Sequence, residues 1–165
     1  MGLDLPCVLG PFAVDGAGRL CLSEPDRPAG FGFRWRDRVM RAQIGPSGQL
    51  AMQATLGRVP STASPDQACL RPHSFATVRV LQGGLPQAWR VRLMPDHRVI
   101  LSTEATVALP ISAEALLVEI TRFLLGLSPY LDLLDEVGAV PGFAEPMSPG
   151  SAVLAAGGST RIWPG

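Results

Sequence analysis

Lysine is absent from this sequence, and every one of its 14 basic residues is an arginine. They are matched by 14 Asp and Glu, for a formal net charge of zero. That balance excludes the broad positive footprint by which nucleic-acid-binding domains are usually recognised. Cysteine is scarce as well. Cys7, Cys21 and Cys69 are odd in number and far apart, which argues against a disulfide frame and for reduced, buried thiols in a cytoplasmic protein. No apolar run reaches the ~18 to 20 residues that a membrane span needs. Leu116 to Leu127 comes nearest, and Glu119, Thr121 and Arg122 interrupt it. The opening residues, Met1 to Pro6, lack the basic region of a signal peptide.

The motifs of chemistry are missing too. His73 and His97, the two histidines, sit beside proline-containing turns with no cysteine at metal-ligand spacing, so no metal site is expected. There is no Cys-x-x-Cys pair and no Gly-x-Ser-x-Gly elbow. Gly83-Gly84 and Gly157-Gly158 lack the downstream lysine of a phosphate loop. Asp132, Asp135 and Glu136 cluster near a helix end without a partner for acid–base work, and read as a solvated group. The expectation is a protein without catalysis, cofactor or metal, which works by binding.

What is present is a chain of 165 residues, 47% hydrophobic and 17% charged. That is one domain with enough apolar material for its own core. Residues 1–17 carry Pro6, Gly10, Pro11 and Gly16 and are expected to be irregular, with Phe12 to Val14 as a candidate edge strand. Residues 18–137 form the structured domain, and 138–165 form a Gly/Pro-rich tail without periodicity.

Strand patterns dominate the first half of that domain. Leu20 and Leu22 share one face of a strand over Gly18 to Glu24. Phe31, Phe33 and Trp35 then share a face, with Arg34 and Arg36 opposite. Beyond Asp37-Arg38 the apolar parity switches to Met40, Ala42 and Ile44, which predicts a tight turn or bulge there. Gly45 to Gly48 reads as a hairpin turn, followed by alternation of Leu50, Met52, Ala54 and Leu56. Arg34, Arg36, Arg38 and Arg41 are expected to face solvent. The aromatic row is expected in the core or, alternatively, left for a partner segment.

Residues 73–82 are ambiguous. Phe75, Val78 and Leu81 suit a short helix capped by His73 or Ser74, while Thr77, Val78 and Val80 suit a strand. Trp89 to Leu93 and Arg98 to Ala108 read as a strand pair around the turn Met94 to His97. Ser112 is a candidate cap for a long helix carrying Leu116, Ile120, Phe123, Leu124 and Leu127. Gly126 and Ser128-Pro129 are expected to split that helix in two.

The segment Leu50-Ala-Met-Gln-Ala-Thr-Leu-Gly-Arg-Val-Pro60 resembles the third strand of the class I type III secretion chaperones, with Val59 where that family usually has leucine. The resemblance covers roughly residues 18–137, and it favours a helix at 73–82. It implies an α+β fold, a twisted antiparallel sheet with a short middle helix and a long C-terminal helix packed on it. It also implies a homodimer that holds an extended segment of a client protein. Residues 1–17 are too rich in Pro and Gly for the amphipathic helix with which family members usually begin. The neutral charge and the tail also depart from the family pattern.

On this reading Phe31, Phe33, Trp35 and Met52 form the partner-binding groove, and Phe75, Val78 and Leu81 the dimer interface. Residues 150–163 are similar in character to a client segment; they are expected either to lie in the chain's own groove or a neighbour's, or to form a loosely held terminus. The alternative is a small-ligand or regulatory domain on the same fold, with no secreted client.

Overall fold

The computed structural model describes residues 7–62 and 68–137. The order of elements is β1 (Cys7–Leu9), β2 (Phe12–Val14), β3 (Arg19–Leu22), β4 (Ala29–Trp35), β5 (Arg38–Ile44) and β6 (Gln49–Arg58). After these come helix α1 (Arg71–Gly84), β7 (Arg90–Leu93), β8 (Arg98–Thr106), β9 (Ile111–Ser112) and helix α2 (Ala113–Val137). The strands make two antiparallel sheets, a small one ordered β1-β2-β3-β9 and a large one ordered β4-β5-β6-β8-β7. The fold is α+β.

Alternation decides which side of the large sheet is buried. Directly paired residues share a face. One such row runs Phe33, Met40, Ala54, Leu101 and Val91 across all five strands, and another joins Ile44 to Leu50. Met40, Ile44, Leu50, Ala54 and Leu101 are completely enclosed. The buried residues of both helices, Val78 and Leu81 of α1 and Leu116 to Leu134 of α2, join them in one apolar cluster. The opposite row is Gly32, Arg41, Gln53, Ser102 and Arg90. The sheet is therefore apolar inside and polar outside.

The turns explain the parity changes. Arg36 and Asp37 both take positive φ, 49° and 57°, between β4 and β5. Two successive left-handed residues match the right-handed twist of a two-residue hairpin. This places Arg38 on the inner face opposite Trp35, where it is 3% exposed. Its expected place in a solvated arginine face is thus corrected; Arg34 and Arg41 do face outward. A register shift between Thr55 and Gly57 reverses the parity beyond Leu56, so that Gly57 pairs with the enclosed Val99 and both Leu56 and Val59 are buried.

Three further expectations change. The expected strand at Phe12 to Val14 is present but is not an edge, because Cys7 to Leu9 is also a strand and a turn at Gly10, with φ +58°, pairs the two as a hairpin. Helix α1 begins at Arg71 with Pro72 in its first turn, and neither His73 nor Ser74 caps it. The Ser74 hydroxyl instead donates to the Leu70 carbonyl at 3.1 Å.

Finally, α2 runs unbroken through Pro129. Leu127, Leu131 and Leu134 keep one helical stripe across the proline and are almost fully buried. Burying each contributes about 1.5–3 kcal/mol, against roughly 3 kcal/mol for an interior proline, so packing wins. The expected cap at its start does form, with the Ala115 amide donating to Ser112 Oγ at 3.1 Å.

Candidate functional site

A sheet of five strands has two edges, and here they differ. Strand β7 is four residues long and carries Arg90 and Arg92. Helix α1 lies against it, and Gln82 Nε2 donates to the Val91 carbonyl at 3.1 Å. Short length, charge and a covering helix are the usual means of closing an edge to further pairing. Strand β4 is seven residues long, contains no proline, and ends the sheet with β5 as its neighbour. Among the described residues no second strand pairs with it.

The inner side of β4 is aromatic. Phe31 and Phe33 lie with ring centroids 6.3 Å apart and planes 27° from parallel. Phe12 of the small sheet meets Phe31 edge-on at 6.1 Å. Trp35 continues the row, with the Arg36 guanidinium 5.7 Å from its ring centre. All three β4 aromatics are half-buried, packed on the core on one side and open on the other. Arg36 ties the turn at the end of β4 to α2, donating to Asp132 Oδ1 at 2.6 Å and to Ser128 Oγ at 3.2 Å.

The remaining expected site residues sit elsewhere. Met52 shares a row with Phe31 and Ala42, two strands in from the edge, and is 5% exposed. It belongs to the core rather than to a groove. Val78 and Leu81 are 7% and 2% exposed within their own chain. Within their own chain they join the apolar cluster between α1 and the sheet. Phe75 is half-buried beneath the Arg71 guanidinium, 5.0 Å from its ring centre. The tail, with residues 150–163, lies outside the described residues.

Two surface features escaped the sequence reading. The outer side of β4 bears Gly30 and Gly32, directly opposite Gln43 and Arg41 of β5. The signal was the Gly-Phe-Gly-Phe repeat itself. The outer side of α2 exposes Leu117, Val118 and Leu125, which with Thr121 and Arg122 line an open groove of about 380 Å³. The helical spacing of these residues was visible, but the stronger core stripe masked it.

Among the described residues no three His, Cys, Asp or Glu side chains come together as a metal site, and no helix is long and apolar enough to cross a membrane. No protein-family model matches the chain, and no curated protein matches it significantly.

Proposed function

We propose that this chain is a non-catalytic protein-binding module which holds an extended segment of a partner protein, in the manner of the secretion chaperones its sequence resembles. The observation that carries the reading is strand β4, a seven-residue edge strand with a half-buried aromatic row. An extended segment docking there gains main-chain hydrogen bonds from the edge and apolar burial from Phe31, Phe33 and Trp35. Holding a chain in this way requires no bond chemistry. Six strands precede the short helix and three lie between it and the long helix, so the chain carries more strands than the order the resemblance implies, and the segment likened to a third strand is β6, the middle strand of the large sheet. A homodimer and a cytoplasmic setting are parts of the same proposal.

The test is affinity capture of the tagged chain from its native host, with light scattering for stoichiometry and hydrogen exchange on the recovered complex. The reading expects one larger protein whose binding slows exchange over residues 29–35. A partner that protects some other surface overturns the site. Recovery of a bare chain carrying a small molecule, seen by native mass spectrometry, overturns the function.

A further inference from the structure

Strand interiors rarely favour glycine, which weakens pairing and leaves nothing to pack, and where it occurs it often marks the close approach of another chain. Strand β4 has two, at Gly30 and Gly32, both on its outer face. Neither is there for backbone reasons, since neither takes a positive φ. A Cβ added at Gly30 would lie 3.6 Å from its nearest neighbour, and at Gly32 3.4 Å from the Met40 carbonyl oxygen. Both distances are ordinary contact. The edge strand is bare on one side although a Cβ would fit.

The residues behind the two glycines are long and polar. Arg41 stands opposite Gly32, and Gln43 opposite Gly30. Strands lie about 4.8 Å apart, so a strand added beyond β4 would lie two spacings from β5. A side chain at Gly32 would stand between Arg41 and such a strand. Arg34 faces the same way from β4 itself, two residues and roughly 7 Å along the strand from Gly32. The acidic residue among the described outward-facing strand positions is Glu104, on β8 and three strands away. The outer approach to the edge is therefore positive, and the inner approach is aromatic.

Resting on the reading of β4 as the docking edge, we infer that the captured segment alternates apolar and acidic residues. Its apolar side chains lie against Phe31, Phe33 and Trp35. Its carboxylates lie over Gly30 and Gly32 and pair with Arg41, whose guanidinium group suits carboxylate geometry. A single-stranded nucleic acid fits this face less well. It needs aromatic rings on which to stack bases, and the aromatics of β4 all lie on the opposite face.

The experiment is fluorescence anisotropy of the full chain with three labelled peptides of about nine residues, long enough to span the edge strand. One alternates valine and glutamate, one valine and lysine, and one has the first composition with its alternation scrambled. The alternating glutamate peptide binds at least about tenfold more tightly than either control. Arg41→Ala abolishes its advantage over the lysine peptide. Gly32→Val keeps the far-ultraviolet circular dichroism and melting temperature of the parent, because its Cβ has room and a β-branched residue on an outer strand face suits the strand, yet weakens binding about tenfold or more. Equal binding of the acidic and basic peptides, full binding by Gly32→Val, or displacement of the peptide by single-stranded RNA overturns the inference. If the peptides fail but a native partner still slows exchange over residues 29–35, the docking edge stands and the acidic pattern falls. If nothing slows exchange there, the docking edge itself falls.

Discussion

Arg38 of β5 and Asp135 of α2 join the inner face of the sheet to the last turns of the long helix. The two ends of this pair are unequal. Arg38 is almost wholly enclosed, whereas the Asp135 side chain is half in solvent. The Nε and Nη1 of Arg38 find no hydrogen-bond partner among the described residues. Removing the carboxylate leaves a buried charge uncompensated, while removing the arginine leaves an aspartate that water solvates. Asp135→Ala should therefore cost about 2–3 kcal/mol, and Arg38→Met about 1 kcal/mol or less. Urea unfolding of the two variants measures the difference.

Gly48 illustrates a glycine that the backbone demands. Its φ is +77°, and a Cβ there would fall 2.1 Å from the Val107 carbonyl oxygen. The same contact is built around a main-chain hydrogen bond, from the Val107 amide to the Gly48 carbonyl at 2.8 Å. Left-handed backbone alone costs an L-residue about 1–2 kcal/mol, and the overlap adds to it. Gly48→Ala should lower stability by about 3 kcal/mol or more. Gly45→Ala, in the same turn with its nearest neighbour at 3.8 Å and no positive φ, should be nearly neutral. Paired thermal melts check the contrast.

Gly126 makes room for a ring. A Cβ at this point of α2 would come within 3.2 Å of two Trp89 ring carbons. The indole cannot retreat freely, since Phe123 and Tyr130 flank it at centroid distances of 5.4 and 6.1 Å. Tyr130 is itself held by a 3.0 Å hydrogen bond to the Gly84 carbonyl. Replacing an exposed helical glycine by alanine normally gains about 1 kcal/mol. Here overpacking should turn the gain into a loss of about 1 kcal/mol. The gain should return in a Trp89→Leu background, and a double-mutant cycle reads both terms.

Leu81 and Val80 are neighbours on α1 with opposite surroundings, 2% and 70% exposed. Leu81→Asp places an unpaired charge in the core and should unfold the chain rather than dissociate a dimer. Val80→Asp should leave melting within about 0.5 kcal/mol of the parent. Circular dichroism separates loss of fold from loss of association, which light scattering alone would confuse.

The strands of the large sheet were legible because each carries a clean period of two, and the Asp37-Arg38 parity switch located the hairpin to within a residue. The fate of Met52, Val78 and Leu81 was not legible. Periodicity says that a residue is apolar and faces one way, but not whether its own chain or another fills that side. Pro129 misled for a different reason. A local rule predicts a break there, and the rule was overridden by three leucines whose burial depends on distant strands. At β4 the aromatic row was read and the glycines between its members were passed over. Their meaning needed the strand order, because a bare face matters only at an edge and opposite a long arginine.

The last prediction concerns acid. Asp15 accepts hydrogen bonds from the Arg19 and Ala17 amides and from Arg19 Nε, each at 2.9 Å. These hold its carboxyl below the ordinary value of 3.8, the Arg19 amide contributing most. At Asp96 desolvation is the largest influence and acts upward. The amide and side chain of Arg98 together outweigh it, and this carboxyl too lies below its ordinary value. A carboxylate depressed in the folded state binds its proton more readily when the chain unfolds. Its stabilising effect is therefore complete well above pH 3.8 and is lost as pH falls through the lower, folded value. Asp15→Asn and Asp96→Asn should each be less stable than the parent at pH 7. That gap should narrow only below about pH 4 and close under stronger acid. Urea midpoints measured from pH 7 to pH 2 test this, and a gap that closed near pH 6 would assign the effect to some other group.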